Sequence, residues 1–439
     1  MRINGEGSIP SRIMLVGEFP SESDFRFMQP FGGNSGAELN KMLAEAGIMR
    51  SECYATYVYK TRPVGGTVTS LVATKKKDIG AQHVLLKGQY VTPELARDHA
   101  ELLKEIEIVQ PNLIIAFGNL ALWALTEHWS VVKWRGSLLH TGTYKVIPTL
   151  PPSSIFKQFE LRGVVINDLR RAKRHMTSRV YDNKPNWNFI VRPNFSQATE
   201  VLNKLYQRAV AGEELWLDFD IETRYGHMDC IGFSWSRLDA ICIPLITRGK
   251  PEGYWSADEE ALIVFACYRL FTHPSVRCRW QNGLYDAQYI FRHWHFIPNH
   301  GQDTMITQHS LFAALSKSLA FIASIYADWY VYWKDEGKIA SDVPEEQRWI
   351  YNLQDCVYTR ECGEVLAASA KTMQLAEVDS WQQRLFMPVL QAMIRGVLVR
   401  KEVRDQMAFD IQEELSHRET FLFTVLGHPI NQASPKQMQ

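Results

Sequence analysis

The first part of the chain alternates short apolar runs with helix-like repeats of apolar residues. Residues 12–16 and 113–117 are apolar runs that predict buried strands, and residues 37–46 place Leu and Met side chains on one helical face. Thr-Pro at 92–93 is a typical helix start. Strands that alternate with helices predict a mostly parallel sheet covered by helices over residues 10–170.

The pattern in the remainder of the chain predicts a second domain and a helical tail. Residues 215–219 and 229–236 predict strands, and helical repeats follow them. From about residue 380, apolar residues recur at every fourth position, which is typical of long amphipathic helices. We therefore expect an α/β multidomain protein with an all-helical end.

A basic stretch marks the predicted boundary between the two domains. Residues 171–187 are rich in Arg and Lys and poor in apolar residues, which favours a linker, although the end of a basic helix would have the same composition. The predicted organisation is a first domain at residues 1–170, this linker, a second domain at 188–375 and a helical segment at 376–439.

Charge is divided unevenly along the chain although the total is zero. Residues 1–185 carry 24 basic and 17 acidic side chains, a net charge of +7, and the rest of the chain carries −7. Residues 64–90, with three lysines at 75–77, are predicted to form an exposed excursion from the first domain. This distribution excludes a uniformly basic nucleic-acid coat but is compatible with a basic first domain that docks on DNA.

The cysteines and the apolar stretches indicate a soluble, cytoplasmic protein without a membrane partner. Seven cysteines without a Cys-x-x-Cys pair favour a reducing compartment and argue against a cysteine-built zinc site or an iron–sulfur cluster. The amino terminus lacks the apolar core of a signal peptide. The longest apolar stretch, residues 113–125, is too short to span a bilayer.

Acidic residues at separate places in the second domain are the strongest chemical signal in the sequence. Asp220 and Glu222 end an apolar run, and the period of two along a strand places both carboxylates on one face. Asp286 begins a predicted helix, and Tyr351 and Asp355 lie one turn apart on another. Converging acids repel one another unless cations lie between them, and Mg²⁺ or Mn²⁺ suits carboxylate ligands. Two such ions can hold the attacking and the leaving oxygen of a phosphodiester.

In order and spacing, these motifs resemble those of the DEDDy 3′–5′ exonucleases in the version that family A DNA polymerases carry. Residues 220–223 resemble the first exonuclease motif, residues 282–286 the second and residues 351–355 the third. Residues 302–305 and 333–335 resemble segments that lie between the second and third motifs. The resemblance covers the predicted second domain and implies an RNase H-like α/β fold.

The resemblance also implies a role for each residue of the motifs. Asp220, Glu222 and Asp355 would hold the first of two Mg²⁺ or Mn²⁺ ions. Asp220 would be shared with the second ion, which Asp286 would bind through water. Tyr351 would help Glu222 to orient the metal-activated water that attacks the terminal phosphodiester.

Other polar residues near the motifs have different predicted roles. Asn282 and Thr223, which belong to the second and first motifs, are the predicted substrate contacts. Asp218 lies on the same strand face as Asp220, but the Thr in the first motif favours the later register, so we expect Asp218 to be structural. Asp303 is expected to cap a helix rather than to bind metal.

The helical tail resembles the start of the thumb of a family A polymerase. Residues 385–400 resemble the entry into the thumb, and residues 431–437 resemble its Asn-Pro-x-Ser-x-x-Gln element. The palm and the fingers would follow Gln439, so we expect the polymerase active site to be absent from this chain. The remaining polymerase half would be a partner, on the same gene product or on a separate chain.

The first domain resembles the uracil-DNA glycosylase superfamily. Residues 16–21, 30–36 and 60–63 begin a series of matches in the order of that superfamily's motifs. In active relatives, Glu18 would handle the attacking water and Phe31 would stack on the flipped base. The resemblance implies an α/β/α fold with a parallel sheet.

Two departures predict that the glycosylase pocket is degenerate. Tyr57 stands where those enzymes place an Asn that reads the base edge, and Pro151 stands where they place a His that steadies the departing uracil. A phenol and a pyrrolidine ring cannot replace an amide and an imidazole without a large loss of rate. We therefore expect a pocket built from Glu18, Phe31, Tyr57 and Pro151 that no longer excises uracil, in a domain that docks on DNA or protein.

The patterns and resemblances together predict the N-terminal portion of a phage-type family A DNA polymerase that removes 3′-terminal nucleotides during proofreading. Its partners would be single-stranded 3′ ends and primer-template DNA, and it would act in the host cytoplasm if a phage encodes it. Two alternatives stay open. One is an active repair enzyme that joins a uracil-DNA glycosylase to a nuclease, and the other is a non-catalytic DNA-binding subunit of a split polymerase.

Overall fold

The computed structural model describes residues 1–73, 78–181, 184–336 and 344–438. The lysines predicted to be exposed at 75–77 lie outside the described residues. Contacts divide the chain into two compact units, Met1–Met387 and Pro388–Gln439. Both predicted α/β domains lie in the first unit.

The elements of the first domain alternate between strands and helices, as the sequence pattern predicts. In chain order they are β1 (Ile13–Gly17), α1 (Glu22–Phe27), α2 (Asn34–Glu45), β2 (Cys53–Tyr57), β3 (Val72–Ala73), β4 (Val84–Leu86), β5 (Gln89–Val91), α3 (Pro93–Val109), β6 (Leu113–Phe117), α4 (Asn119–Thr126), α5 (Val131–Trp134), β7 (Leu139–His140), β8 (Lys145–Thr149) and α6 (Arg162–His175).

The first domain is built on a sheet with the strand order β2-β1-β6-β8-β7. All neighbours in this sheet are parallel except the short edge strand β7. The four parallel strands are buried along their whole length, as expected of a sheet covered by helices. Because these strands run in the same direction, their carboxyl ends lie at one edge of the sheet. A small antiparallel sheet of β3, β5 and β4 lies within the predicted excursion at 64–90. Thr92 caps α3 by accepting the N–H of Leu95.

The second domain adds a mixed sheet and a larger set of helices. In chain order its elements are β9 (Asn188–Ile190), α7 (Phe195–Val210), β10 (Leu215–Arg224), β11 (His227–Ser234), β12 (Asp239–Pro244), α8 (Ala257–Phe271), β13 (Val276–Trp280), α9 (Leu284–Trp294), β14 (His300–Asp303), α10 (Thr304–Leu311), α11 (Leu319–Tyr326), α12 (Glu345–Thr372) and α13 (Ala376–Arg384).

The strand order of this sheet, β14-β13-β10-β11-β12-β9, places the predicted acids together. The central strand β10 is parallel to β13, so the ends of both strands reach the same edge of the sheet. The long helix α12 packs across β10, β11 and β12. The predicted α/β multidomain fold class, with a parallel-sheet first domain, is confirmed.

Two predicted segment boundaries differ from the structure. The stretch predicted as a linker, 171–187, begins inside α6, which continues to His175 and buries Arg171. Helix α13, predicted to belong to the tail, packs on α10 and β14 of the second domain. Its buried Gln383 exchanges hydrogen bonds of 2.9 and 3.0 Å with the backbone of Asp303. In both places a polar side chain is buried because it finds partners inside the fold, which composition alone does not reveal.

The second compact unit consists of the later part of α14 (Phe386–Arg395) and of α15 (Lys401–Leu426) with the residues that follow. Gly396, between these two helices, has φ +67°. The apolar stripe predicted on α15, which includes Met407 and Ile411, is exposed in this unit. Among the described residues, no helix has the length and apolar character needed to cross a membrane.

Candidate active site

The acids of β10 have different partners although they alternate along one strand. Asp218 is fully buried and accepts hydrogen bonds from Arg279 Nη1 at 2.7 Å and from Arg360 Nη1 at 2.8 Å. These two cations neutralise the carboxylate, which agrees with a structural role for Asp218. Asp220, two residues further on, accepts instead from the neutral amide of Asn352, with 2.8 Å between Nδ2 and Oδ2.

Helix α12 brings the third motif against β10. Asn352 Nδ2 also donates to the backbone oxygen of Asp220 at 2.9 Å. Gly232 on β11 allows this close approach, because a Cβ atom there would lie 2.0 Å from Asn352 Oδ1. Tyr351 and Asp355 therefore lie near the acids of β10, and the charge of Asp355 acts on Asp220 and Glu222.

The turn between β13 and α9 delivers Asp286 to the same place. Asp303 caps α10 and also accepts the backbone N–H groups of Asn282 at 3.1 Å and of Gly283 at 2.8 Å. Asp303 is thus a helix cap, as predicted, and it additionally fixes the start of the second motif. Asp286 Oδ1 accepts from the N–H of Ile221, which lies between Asp220 and Glu222 on β10, at 3.0 Å.

Two residues to which the sequence assigned no role complete the cluster. Trp333 Nε1 donates to Asp355 Oδ1 at 2.7 Å. Lys334 Nζ donates to Tyr351 OH at 2.9 Å and forms an ion pair with Asp355. A lysine at the end of an aromatic run is the signal that could have revealed them, because a lysine among aromatic side chains needs an acidic partner.

Arg348 is a second cation at this site that the sequence did not reveal. Its Nη2 atom donates to Glu222 Oε2 at 3.2 Å and to the backbone oxygen of Thr223 at 2.7 Å. Its Nε atom lies 3.0 Å from the buried carboxylate of Asp229. Glu222 therefore has an arginine partner, whereas Asp220 has an amide.

Burial and mutual repulsion raise the pKa values of the clustered acids. Burial, followed by the charges of the three other acids, raises the pKa of Asp220 well above its ordinary value. Burial and the charge of Asp355 raise the pKa of Glu222 to about 7. Burial raises the pKa of Asp286 to about 8, although a backbone hydrogen bond opposes it. A cation bound among these acids would relieve their repulsion, so raised pKa values in such a cluster are typical of a cation-binding site.

The chemistry of this donor set fits a hard divalent cation, because it consists of carboxylate oxygens. As the side chains stand, no three His, Cys, Asp or Glu residues within the described ranges form a ready metal-holding group. The acids are bonded instead to protein donors, namely Lys334, Asn352 and Arg348. A metal ion would therefore compete with these donors for the carboxylate oxygens.

The predicted substrate contacts lie at the rim of the cluster. Thr223 Oγ1 is 2.8 Å from Tyr285 OH, and the ring of Tyr285 is partly exposed beside it. Asn282 is exposed and has a left-handed backbone with φ +63°. Their roles in binding a substrate stay predictions.

The carboxyl-terminal edge of the first sheet holds the other predicted pocket. Tyr57 ends β2, and its ring lies 5.0 Å from the ring of Phe31, centroid to centroid. A Cβ atom on Gly17 would lie 2.7 Å from the Tyr57 ring, so the tyrosine packs directly on the backbone of β1. Its hydroxyl donates to Asp24 Oδ2 and accepts from the N–H of Phe31, both at 2.9 Å. Tyr57 therefore fills this edge and is fixed at both ends.

Glu18 and Pro151 lie at the same edge of the first sheet. Glu18 Oε1 accepts from the N–H of Leu120 at the start of α4, at 2.9 Å. Burial raises the pKa of Glu18, and backbone N–H groups of α4 partly offset this rise. Pro151 follows β8 and precedes a short 3₁₀ turn, Pro152–Phe156. The structure thus brings Phe31 and Tyr57 into contact and places Glu18 and Pro151 at neighbouring strand ends.

Comparison with known proteins assigns the first domain. Residues 4–170 match the uracil DNA glycosylase superfamily. The type-4 uracil-DNA glycosylase of Thermotoga maritima is 33% identical over 174 residues, which cover 38% of this chain and 80% of that protein. The chain belongs to the uracil DNA glycosylase superfamily.

This superfamily member is also similar to larger and more distant proteins. The DNA polymerase of Bacillus phage SP01 is 28% identical over 169 residues, which cover 38% of this chain but only 16% of the polymerase. The solved structure of Escherichia coli RNase D, an exoribonuclease involved in structured RNA processing, overlaps 48% of this chain and 52% of its own with a TM-score of 0.32 and 16% identity. The predicted resemblances to uracil-DNA glycosylases and to a phage DNA polymerase are thus confirmed.

Proposed function

We propose that the second domain is a metal-dependent 3′–5′ exonuclease that acts on DNA and belongs to a polymerase. The observation that supports this most strongly is the meeting of acids from β10, α9 and α12 in one buried cluster: Asp220, Glu222, Asp286 and Asp355. Burying like charges together destabilises a fold, so such a cluster is typical of a functional site. The similarity to a phage DNA polymerase favours DNA as the substrate.

The clustered acids would hold two Mg²⁺ or Mn²⁺ ions. When bound, such ions polarise a phosphodiester and activate a water molecule. Asp220 is the most central acid, because the charges of the three others all act on it. It is therefore the residue that we expect both ions to share. Lys334 supplies positive charge to Asp355 before an ion arrives.

Tyr351 would position the attacking water. Burial and the charge of Asp355 raise the pKa of Tyr351, so the phenol keeps its proton at neutral pH. Its oxygen already accepts from Lys334 Nζ at 2.9 Å, which leaves the O–H free to turn towards a water or a phosphate oxygen. Thr223 and Asn282, at the rim, would contact the terminal nucleotides.

The test is digestion of a 5′-labelled DNA strand with a mismatched 3′ end in the presence of Mg²⁺. We expect stepwise shortening from the 3′ end, which a chelator or Asp220→Ala abolishes. Asp258→Ala is the matched control, because Asp258 is an exposed acid at the start of α8. Binding of DNA without shortening under any divalent ion would favour the non-catalytic subunit instead.

We also infer that the first domain does not excise uracil, although it belongs to a glycosylase superfamily. The supporting observation is Tyr57, which fills the sheet edge and is held by Asp24 and Phe31. A flipped base needs an open pocket with groups that read its edge. Incubation with uracil-containing single strands followed by alkali should leave the DNA intact, and efficient cleavage at uracil would favour the combined repair enzyme.

The role within a polymerase is the broadest part of the proposal. We propose that the chain supplies proofreading to a phage-type family A polymerase that works on primer-template DNA in the cytoplasm. The remaining half would lie on the same gene product or on a separate chain. Salt-dependent binding to primer-template DNA, with a weaker affinity at higher salt, is the expected result.

A further inference from the structure

A short aromatic segment lies between the two domains of the first compact unit. This segment, residues 327–336, follows α11 and has the sequence Ala-Asp-Trp-Tyr-Val-Tyr-Trp-Lys-Asp-Glu. It carries Trp333 and Lys334, whose side chains contact Asp355 and Tyr351 in the candidate nuclease site. The position of the segment therefore sets the position of two groups at the site.

Arg171 of the first domain binds the backbone at the start of the segment. This arginine is 1% exposed, and its guanidinium donates to the backbone oxygens of Ser324 at 3.1 Å, Ala327 at 2.8 Å and Asp328 at 3.0 Å. Carbonyls on both sides of the α11 terminus thus share one buried cation, as in other C-terminal helix caps. A buried guanidinium needs these acceptors, so the contact constrains the path of the chain.

Arg135 of the first domain makes a second contact close by. Its Nη1 atom donates to Ser324 Oγ at 2.6 Å, and its Nε atom donates to Asp168 Oδ2 at 2.9 Å. Asp168 is also held by Thr149 Oγ1 at 2.7 Å. Gly136 makes the close approach possible, since a Cβ atom there would lie 2.9 Å from Asp168 Oδ1 and 3.3 Å from the Ser324 oxygen.

Two hydrogen bonds then tie the middle of the segment to the first domain. The N–H of Leu138 donates to the oxygen of Tyr330 at 2.9 Å. The N–H of Tyr332 donates to the fully buried Ser137 Oγ at 3.0 Å. The second of these bonds is one residue away from Trp333, so the attachment reaches almost to the candidate site.

The far side of the segment packs on the second domain. The ring of Trp333 stacks on that of Tyr358 in α12, with centroids 4.2 Å apart, while its Nε1 atom bonds Asp355. We propose that the first domain has become a scaffold that positions the aromatic segment, and with it Trp333 and Lys334, at the nuclease site. Arg171 is its main positioning residue. The activity part of this proposal rests on the proposed function, whereas the positioning part does not.

The first test measures position without any activity. The full chain is labelled with 5-fluorotryptophan, and the Trp333 fluorine signal is assigned by its absence in Trp333→Phe. We expect Arg171→Met to shift or broaden this signal and to raise amide exchange in residues 327–336 by about tenfold. Arg174→Met is the matched control, because Arg174 is an exposed arginine on the same helix. It should leave both readouts unchanged.

A milder variant keeps the test decisive if Arg171→Met does not fold. Ser137→Ala removes only the acceptor of the Tyr332 N–H, and it should change the Trp333 signal in the same direction by a smaller amount. If Arg171→Met folds, an unchanged Trp333 signal and unchanged amide exchange in that variant would overturn the scaffold. If Arg171→Met does not fold, the same result in Ser137→Ala would overturn it.

The second test asks whether the position matters for the reaction. On a single-stranded DNA substrate, we expect Arg171→Met to lower kcat about tenfold with little change in KM, because Lys334 and Trp333 act on Asp355 rather than on bound DNA. If the unmodified chain has no nuclease activity, the proposed function fails, and the fluorine signal still decides the scaffold. A normal kcat combined with a displaced Trp333 signal would overturn the link to the reaction.

Discussion

The two sheets of this chain gather polar side chains at the ends of their parallel strands, and they treat acids in opposite ways. At the edge of the first sheet, Asp24 accepts from the hydroxyl of Tyr57, from Ser21 and from the N–H of Gly32. At the edge of the second sheet, Asp220 accepts from the amide of Asn352, and the charges of three other acids act on it against that of Lys334. The Asp24 carboxylate thus has hydrogen-bond donors on both oxygens, whereas the charge of Asp220 is opposed by neighbouring acids.

This difference connects topology to function. Ligands of parallel sheets bind at the carboxyl ends of the strands, so both edges are places where a site is expected. In the first domain, aromatic packing by Tyr57 and Phe31 has closed that place. In the second domain, burial and the neighbouring acids keep the pKa of Asp220 raised although Lys334 opposes them, so the acids of this edge outweigh its cations. We call the edge with the unsatisfied acids the open edge and the edge that Tyr57 fills the closed edge, and the open edge is the candidate site.

The largest expected effect compares two acids on the same strand. Asp218→Ala should lower the free energy of unfolding by about 3–5 kcal/mol, because it leaves the buried Arg279 and the half-buried Arg360 without their carboxylate. Asp220→Asn should not destabilise the metal-free chain, since it removes a charge from a crowd of acids. Urea unfolding of both variants measures the contrast. Equal destabilisation by the two changes would mean that the acids of the cluster do not repel one another.

The second effect concerns the tyrosine of the open edge. Tyr351→Phe should lower kcat for 3′-end digestion about 100-fold, because the O–H that would orient the water is lost. The change should leave the free energy of unfolding within about 0.5 kcal/mol, since Lys334 retains its ion pair with Asp355. Single-turnover digestion and urea unfolding test the two parts. Full activity in this variant would assign Tyr351 to packing alone.

The third effect concerns the tyrosine of the closed edge. Tyr57→Phe should lower the free energy of unfolding by about 1–3 kcal/mol, because the N–H of Phe31 loses its acceptor and Asp24 loses a donor. Nuclease activity should stay normal. Tyr57→Phe is thus expected to lose stability and keep activity, whereas Tyr351→Phe is expected to lose activity and keep stability. Tyr59→Phe is a control of the same chemistry two residues further along the chain, just after β2. A loss of nuclease activity without a loss of stability would contradict the division between the two edges.

The sequence predicted the acids of the open edge better than their surroundings. Asp220 and Glu222 follow a strand pattern, and Tyr351 and Asp355 follow a helical one, so local periodicity is enough to place them. The donors Lys334 and Arg348 escaped prediction, because their partners lie far away in the chain and only the folded structure joins them.

The same limit applies to the first domain. Its alternating elements and the departure at Tyr57 can be predicted from sequence, whereas the hydrogen bond that the Tyr57 hydroxyl donates to Asp24 cannot. Arg171 was assigned to a linker by composition, and the structure buries it against backbone oxygens of α11 and the aromatic segment. Composition cannot separate an exposed arginine from one that caps a neighbouring helix, since the acceptors are backbone atoms.

The smallest expected effect is a pH-dependent response to Mg²⁺. The pKa of Glu222 is raised to about 7 and that of Asp286 to about 8 in the folded chain, so the folded state binds protons more tightly than the unfolded state. The stability that these acids contribute is therefore complete below their ordinary pKa values and is lost as pH rises through about 7–8. Mg²⁺ binds the deprotonated acids and should restore it. We expect Mg²⁺ to raise Tm by about 3–6 °C more at about pH 8.5 than at about pH 6.

Thermal unfolding with and without Mg²⁺ at both pH values measures this response. The double variant Asp220→Asn with Glu222→Gln should lose the rescue by Mg²⁺ and show a smaller fall in stability at high pH, because it removes two of the crowded acids while Asp286 stays buried. Tyr57→Phe leaves the acids intact and should keep both. If Mg²⁺ raised the Tm of the double variant as much as that of the unmodified chain, the ion would bind elsewhere, and the open edge would not be a metal site.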